Sequence, residues 1–69
     1  MTFKQFNAIN DIIKQGKTVA LREYTDDGYQ TVVMFDENDD IDYVNDWLKR
    51  VPNGELFAFD GDFYSEVEL

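Results

Sequence analysis

Residues 18–35 read Thr18-Val19-Ala20-Leu21-Arg22-Glu23-Tyr24-Thr25-Asp26-Asp27-Gly28-Tyr29-Gln30-Thr31-Val32-Val33-Met34-Phe35. Two β-branched and aromatic runs, Thr18 to Thr25 and Tyr29 to Phe35, flank Asp26-Asp27-Gly28, a turn suited to a type I turn with glycine at the left-handed bulge position. If Thr25 pairs with Tyr29, one face of this hairpin carries Val19, Leu21, Val33 and Phe35, and the other carries Ala20, Arg22, Tyr24, Gln30, Val32 and Met34. The first face is the core candidate. A two-residue Asp27-Gly28 turn would shift the pairing by one and mix the faces, because side chains alternate along a strand.

N-terminal to the hairpin, the sequence predicts a helix over residues 3–15. Thr2 and Gln5 form a capping box, Phe6, Ile9, Ile12 and Ile13 recur at helical spacing, and Gly16 supplies a C-terminal stop. C-terminal to it, Asp36-Glu37-Asn38-Asp39-Asp40 is a polar loop whose last two residues are both natural N-caps. The second helix buries Ile41, Val44, Leu48 and Val51, with Tyr43 and Trp47 at i, i+4 on its flank, so Trp47 is expected beside Tyr43 and partly buried. Pro52 ends it. Glu55 to Phe59 and Asp62 to Leu69 then form a hairpin around Asp60-Gly61, with Phe59 opposite Asp62, Phe57 opposite Tyr64 and Glu55 opposite Glu66. Leu56, Ala58, Phe63, Ser65 and Val67 share one face of it.

The order α-β-β-α-β-β implies a single small α+β domain over residues 1–69, with a mostly antiparallel four-stranded sheet and two helices on one face. Either edge of the first hairpin is open to the second.

Composition narrows the function. The chain has 69 residues, neither cysteine nor histidine, 43% apolar and 16% aromatic residues, and a formal charge of −9. Thiol nucleophiles, imidazole bases and the usual zinc ligands are excluded, and no apolar run reaches the roughly 18 residues of a membrane helix. A soluble, cytoplasmic protein is expected. Lys4, Lys14, Lys17 and Arg22 face Asp11 alone in residues 1–22, whereas residues 23–69 carry fourteen acids against Lys49 and Arg50. Such a field repels nucleic acid and anionic membranes and steers basic partners inward.

Asp36, Asn38, Asp40 and Asp42 alternate like the start of a calcium loop, but Ile41 stands where the EF-hand needs glycine and Trp47 where it needs a bidentate glutamate. The paired carboxylates Asp39/Asp40 and Asp60/Asp62 suit turns and caps better than acid–base chemistry. No nucleophile–base set is present, so the chain is read as no enzyme, with no cofactor and no metal. Arg22 is expected to pair with acids across the strands. Eleven aromatics exceed what so small a core can hide, and exposed rings among carboxylates make a binding face. Tyr24, Tyr43, Trp47, Phe57 and Tyr64 are the candidates for exposure.

In size, acidity, lack of cysteine and compact αβ make-up, the chain resembles the phage-encoded DNA-mimic inhibitors, a functional class that includes anti-CRISPR proteins and uracil-DNA glycosylase inhibitors. The resemblance implies a protein inhibitor that presents carboxylates to a basic, nucleic-acid-binding protein, working in the host cytoplasm. The expected partner surface is a main patch at Asp36, Glu37, Asp39, Asp40, Asp42 and Asp46, a second at Asp60, Asp62, Glu66 and Glu68, and the rings of Tyr43, Phe57 and Tyr64. An immunity protein or antitoxin against a basic nuclease would use the same electrostatics, and a structural protein or homodimer would use the aromatics to assemble.

Overall fold

The architecture comes from a computed structural model of the chain, and residues 1–67 are described. The elements run α1 (Phe3–Lys14), β1 (Thr18–Thr25), β2 (Gly28–Phe35), α2 (Ile41–Arg50), β3 (Glu55–Phe59) and β4 (Tyr64–Glu66). The four strands form one antiparallel sheet in the order β2-β1-β3-β4. The second hairpin therefore docks on β1, and α2 carries the chain from one side of β1 to the other.

Local chemistry sets both ends of α1. The Thr2 hydroxyl accepts the Gln5 N–H at 3.1 Å and the Gln5 side chain accepts the Thr2 N–H at 2.9 Å, which closes the expected capping box. At the other end Gly16 N–H donates to Ile13 and Lys17 N–H to Ile12, the paired bonds of a Schellman motif. Helix α2 starts on Asp40, whose carboxylate accepts the Tyr43 N–H at 2.9 Å.

Both helices cover the same face of the sheet. Ile9 and Ile12 from α1, Val44 from α2 and the following Val51 meet Val19, Leu21, Phe35 and Leu56 in one cluster, with Val33, Trp47 and Leu48 packed around it. Two expected core members lie outside: Phe6 and Ile41 stay 37% and 45% exposed. Each belongs to the first two turns of its helix. Trp47 is half-buried as expected, but its ring forms no aromatic pair with Tyr43 among the described residues. The Tyr43 ring instead meets Phe35 edge-on at 6.1 Å, and the Arg50 guanidinium lies 5.4 Å from the Trp47 ring.

The first hairpin reaches its expected core by a different route. Thr25 opposes Gly28 and Tyr24 opposes Tyr29, so the turn is the two residues Asp26-Asp27 and neither expected turn forms. The Thr25 hydroxyl holds it, accepting the Asp27 N–H at 3.2 Å and donating to the Gly28 carbonyl at 2.8 Å. Gly28 sits at φ +100, a conformation that favours glycine. The register then slips by one between Leu21 and Arg22, leaving Val32 as the extra residue of a bulge, and Leu21 meets Val33 and Val19 meets Phe35 as predicted. The bulge lets Tyr29 and Thr31 share the outer face with Arg22 while Val33 and Phe35 turn inward. Gln30, expected outside, pairs with Glu23 instead.

The second hairpin differs by two residues. Phe59 opposes Tyr64 and Phe57 opposes Glu66, around a four-residue loop, Asp60 to Phe63. The Asp60 carboxylate accepts the N–H groups of Asp62 and Phe63 at 2.9 and 2.8 Å, favouring this wider turn over the expected Asp60-Gly61 one. A shift of two keeps every strand residue on its expected face. Phe63 alone is lost from the core face, since it now lies in the loop and is 74% exposed.

A close approach joins the helix side to β1. A methyl group on Gly54 would stand 2.6 Å from Leu21 Cδ1 and 3.0 Å from Val51 Cγ1, and Leu21 is fully buried with no room to swing away. Gly54→Ala is therefore expected to cost about 1–3 kcal/mol through overpacking. A urea titration followed by circular dichroism measures it.

Candidate functional site

Strand direction decides where the acids meet. Because Val19 opposes Phe35 and Thr18 opposes Phe59, β1 begins at the end of the sheet where β2 and β3 finish. The loop after β2 and the loop after β3 leave the sheet at that common end. That topology places Asp36, Glu37, Asp39, Asp40, Asp60 and Asp62 at one end of the sheet as an acidic rim, where Lys17, just before β1, lines a cleft with Asp36 and Glu37 and lies near enough to Asp60 to act on its charge. A shallow cleft lined by Ile13, Lys17, Thr18, Asp36, Glu37 and Asn38 marks the contact of α1 with the first loop.

Several of these carboxylates also hold their loops. Asp36 accepts the Asn38 N–H at 2.8 Å, Asp39 accepts the Asp36 N–H at 2.9 Å, and Asp40 caps α2. Glu37 and Asp62 are exposed and make no side-chain hydrogen bond among the described residues. Asp60 is held below its ordinary value of 3.8, first by the N–H groups of Phe63 and Asp62 and then by the charge of Lys17. Its ionised form is thus favoured by folding. That contribution is in place above about pH 3.8 and is lost as pH falls through the lower folded value.

The remaining acids of the expected surface lie elsewhere. Asp42 lies in the first turn of α2, beside the rim. Asp46, one turn on, is taken by Arg50 in an i, i+4 ion pair of 2.7 Å, the one salt bridge among the described residues. Glu66 lies on the open face of the sheet, opposite Phe57. Glu68 falls outside the described residues. The two expected patches are thereby rearranged into one rim that draws on both, with Asp46 and Glu66 apart from it.

The three expected rings do not share a surface. Tyr43 is exposed on α2, and Tyr64 is 39% exposed on the open face. Phe57, expected to be exposed, is only 7% exposed, because neighbouring strands stack rings and a guanidinium over it. It meets Tyr29 and Tyr64 edge-on at 5.1 and 6.4 Å, while Phe59 stacks on Tyr64 at 4.6 Å.

At the centre of this group lies Arg22, which sequence reasoning assigned to an acid. Its guanidinium is 4.0 Å from the Tyr64 ring centre, 5.2 Å from Phe57 and 5.4 Å from Tyr29, and it donates to the Tyr29 carbonyl at 3.3 Å. Its register partner Glu55 instead accepts the Tyr29 hydroxyl at 2.7 Å. The alternation of Arg22, Tyr29, Phe57 and Tyr64 is visible in the sequence. Their meeting requires β3 to lie beside β1.

The bond to Glu55, with smaller contributions from desolvation and from the charges of Glu55 and Glu66, pushes the Tyr29 phenol above its ordinary value of 10.0. Because the protonated phenol is the favoured form, its contribution is complete below about pH 10 and is lost as pH rises through the folded value. Glu55→Gln is expected to bring Tyr29 back toward an ordinary tyrosine, as read from a pH titration of its ring resonances.

No group of three or more acids among the described residues is arranged to hold a metal ion, and no helix there is long and apolar enough to cross a membrane. No family of known proteins, no curated protein and no solved structure matches this chain.

Proposed function

We propose that this chain is a small acidic inhibitor that occupies the basic, nucleic-acid-binding surface of another protein, its carboxylates standing where phosphates would lie. The observation that carries this reading is the rim. Two separate loops deliver six carboxylates to one end of the sheet near Lys17, and the one salt bridge of the described residues, Arg50 to Asp46, is not among them. Charge held together in this way opposes the compact state by self-repulsion, and a basic partner relieves that cost. Targets of this chemistry include a CRISPR effector, a restriction or repair enzyme, and transcription machinery.

The test is competition. Proteins retained on the immobilised chain at low salt are identified by mass spectrometry, and each is rebound in the presence of saturating DNA or RNA. The expected partner is basic, is displaced by its nucleic acid, and weakens as salt shortens the screening length from about 30 to 8 Å. A partner that binds equally well with and without nucleic acid overturns the proposal.

A further inference from the structure

We propose that the outer edge of β2 is the docking edge for an extended basic segment of a partner protein, which adds to the sheet as a fifth strand. This rests on the reading of the partner as basic and specifies how part of it is held.

Strand β2 is a free edge in the order β2-β1-β3-β4, and at eight residues it far exceeds the three-residue β4 at the other edge. An edge strand presents unpaired N–H and C=O groups, and proteins ordinarily guard such edges with charge, proline or brevity. Residues 28–35 contain no charged residue and no proline, in a chain that is 30% charged. Val32 and Met34 are 37% and 36% exposed along it, offering apolar contacts to alternate side chains of an added strand.

The charge around this neutral edge selects the occupant. Exposed acids close it at both ends, Asp26 and Asp27 in the turn before it and Asp36 and Glu37 in the loop after it. An eight-residue strand is about 27 Å long. The matching segment thus carries basic residues at both ends of a short β-branched or aromatic stretch. A second copy of the chain fits poorly: antiparallel pairing of two β2 strands would set Asp26 and Asp27 of one copy against Asp36 and Glu37 of the other. The bulge at Val32 also works against pairing between copies, since an irregular edge resists its own kind. A segment that becomes ordered only on binding can follow the irregularity.

The test uses the peptide Lys-Lys-Val-Thr-Val-Thr-Val-Lys-Lys, titrated into the isotope-labelled chain while amide resonances and hydrogen exchange are followed. The proposal expects saturable shifts and slowed exchange centred on residues 28–35. N-methylation of alternate peptide residues, which removes the donors, should weaken binding by about tenfold or more, and so should Val32→Lys at the edge. The N-methylated peptide keeps the test decisive if that variant does not fold. Shifts confined to residues 36–40 and 60–62 would overturn strand addition while leaving the acidic-rim reading standing. Equal binding of a peptide with glutamate in place of every lysine would overturn the basic occupant and count against the rim as well. No shift anywhere, or a concentration-dependent dimer that protects β2 without peptide, overturns the proposal.

Discussion

Phe35→Ala is expected to leave much of the chain unfolded at room temperature. Phe35 has no exposed surface, sits opposite Val19 at the end of β2, and is the largest of the fully buried side chains. Its ring also meets Tyr43 of α2 edge-on, so it joins the sheet to the second helix. Truncating a buried phenylalanine costs about 3–5 kcal/mol, from lost transfer energy and the cavity left behind. At about 0.05–0.15 kcal/mol per residue, a domain of this size has only about 3–10 kcal/mol in total. Urea titration should therefore show a midpoint near zero denaturant, whereas Phe35→Leu, which keeps most of the volume, should retain a cooperative transition. A Phe35→Ala midpoint close to that of the parent chain would show that the core closes around the loss.

The second large effect concerns association. Electrostatic steering sums over a field, and any one exposed ion pair is worth only about 0–1 kcal/mol, so single changes at the rim should be mild. The variants must also spare the loops. Asp36, Asp39, Asp40 and Asp60 accept backbone hydrogen bonds, and lysine there would remove an acceptor together with a charge. Glu37, Asp42 and Asp62 are exposed and accept none among the described residues. The triple variant Glu37→Lys, Asp42→Lys and Asp62→Lys is expected to slow association with a basic partner by about 10- to 1,000-fold at low salt, with a much smaller effect near physiological salt. Stopped-flow mixing measures the rate, and a thermal melt checks that the fold survives. An unchanged association rate with an intact fold would remove the rim from the binding surface and direct attention to the aromatic face around Arg22.

How far the sequence carries depends on the range of the interaction. Thr2 and Gln5 form their capping box, Gly16 ends α1, and Asp40 caps α2, because each bond spans three to five residues and needs no tertiary context. Face alternation is equally local, and it holds where the register error is even: Phe57, Phe59 and Tyr64 share a face although their hairpin is shifted by two, whereas Val19, Leu21, Val33 and Phe35 meet only because the bulge at Val32 offsets a turn one residue shorter than expected. The turns themselves were less legible. Asp60 and Thr25 choose between competing loops through side-chain bonds of similar strength, and glycine suits several of the resulting conformations.

From the sequence alone came the two helices, the four strands, the inward-facing residues apart from Phe6, Ile41, Phe57 and Phe63, and the acidity of the stretch after residue 22. The tertiary structure decided that β3 pairs with β1, since both edges of the first hairpin offer the same backbone groups and the choice is made where α2, through Val44 and Val51, joins the core cluster with Leu21 and Leu56. That one pairing gathers Asp36 and Asp60 at a common end, stacks Arg22 among Tyr29, Phe57 and Tyr64, and leaves β2 as a free edge. The contacts of Arg22 reach Tyr29 seven positions away and Phe57 and Tyr64 more than thirty positions away. Local propensity and alternation do not encode such distances; they are set when the sheet and helices close on a shared core.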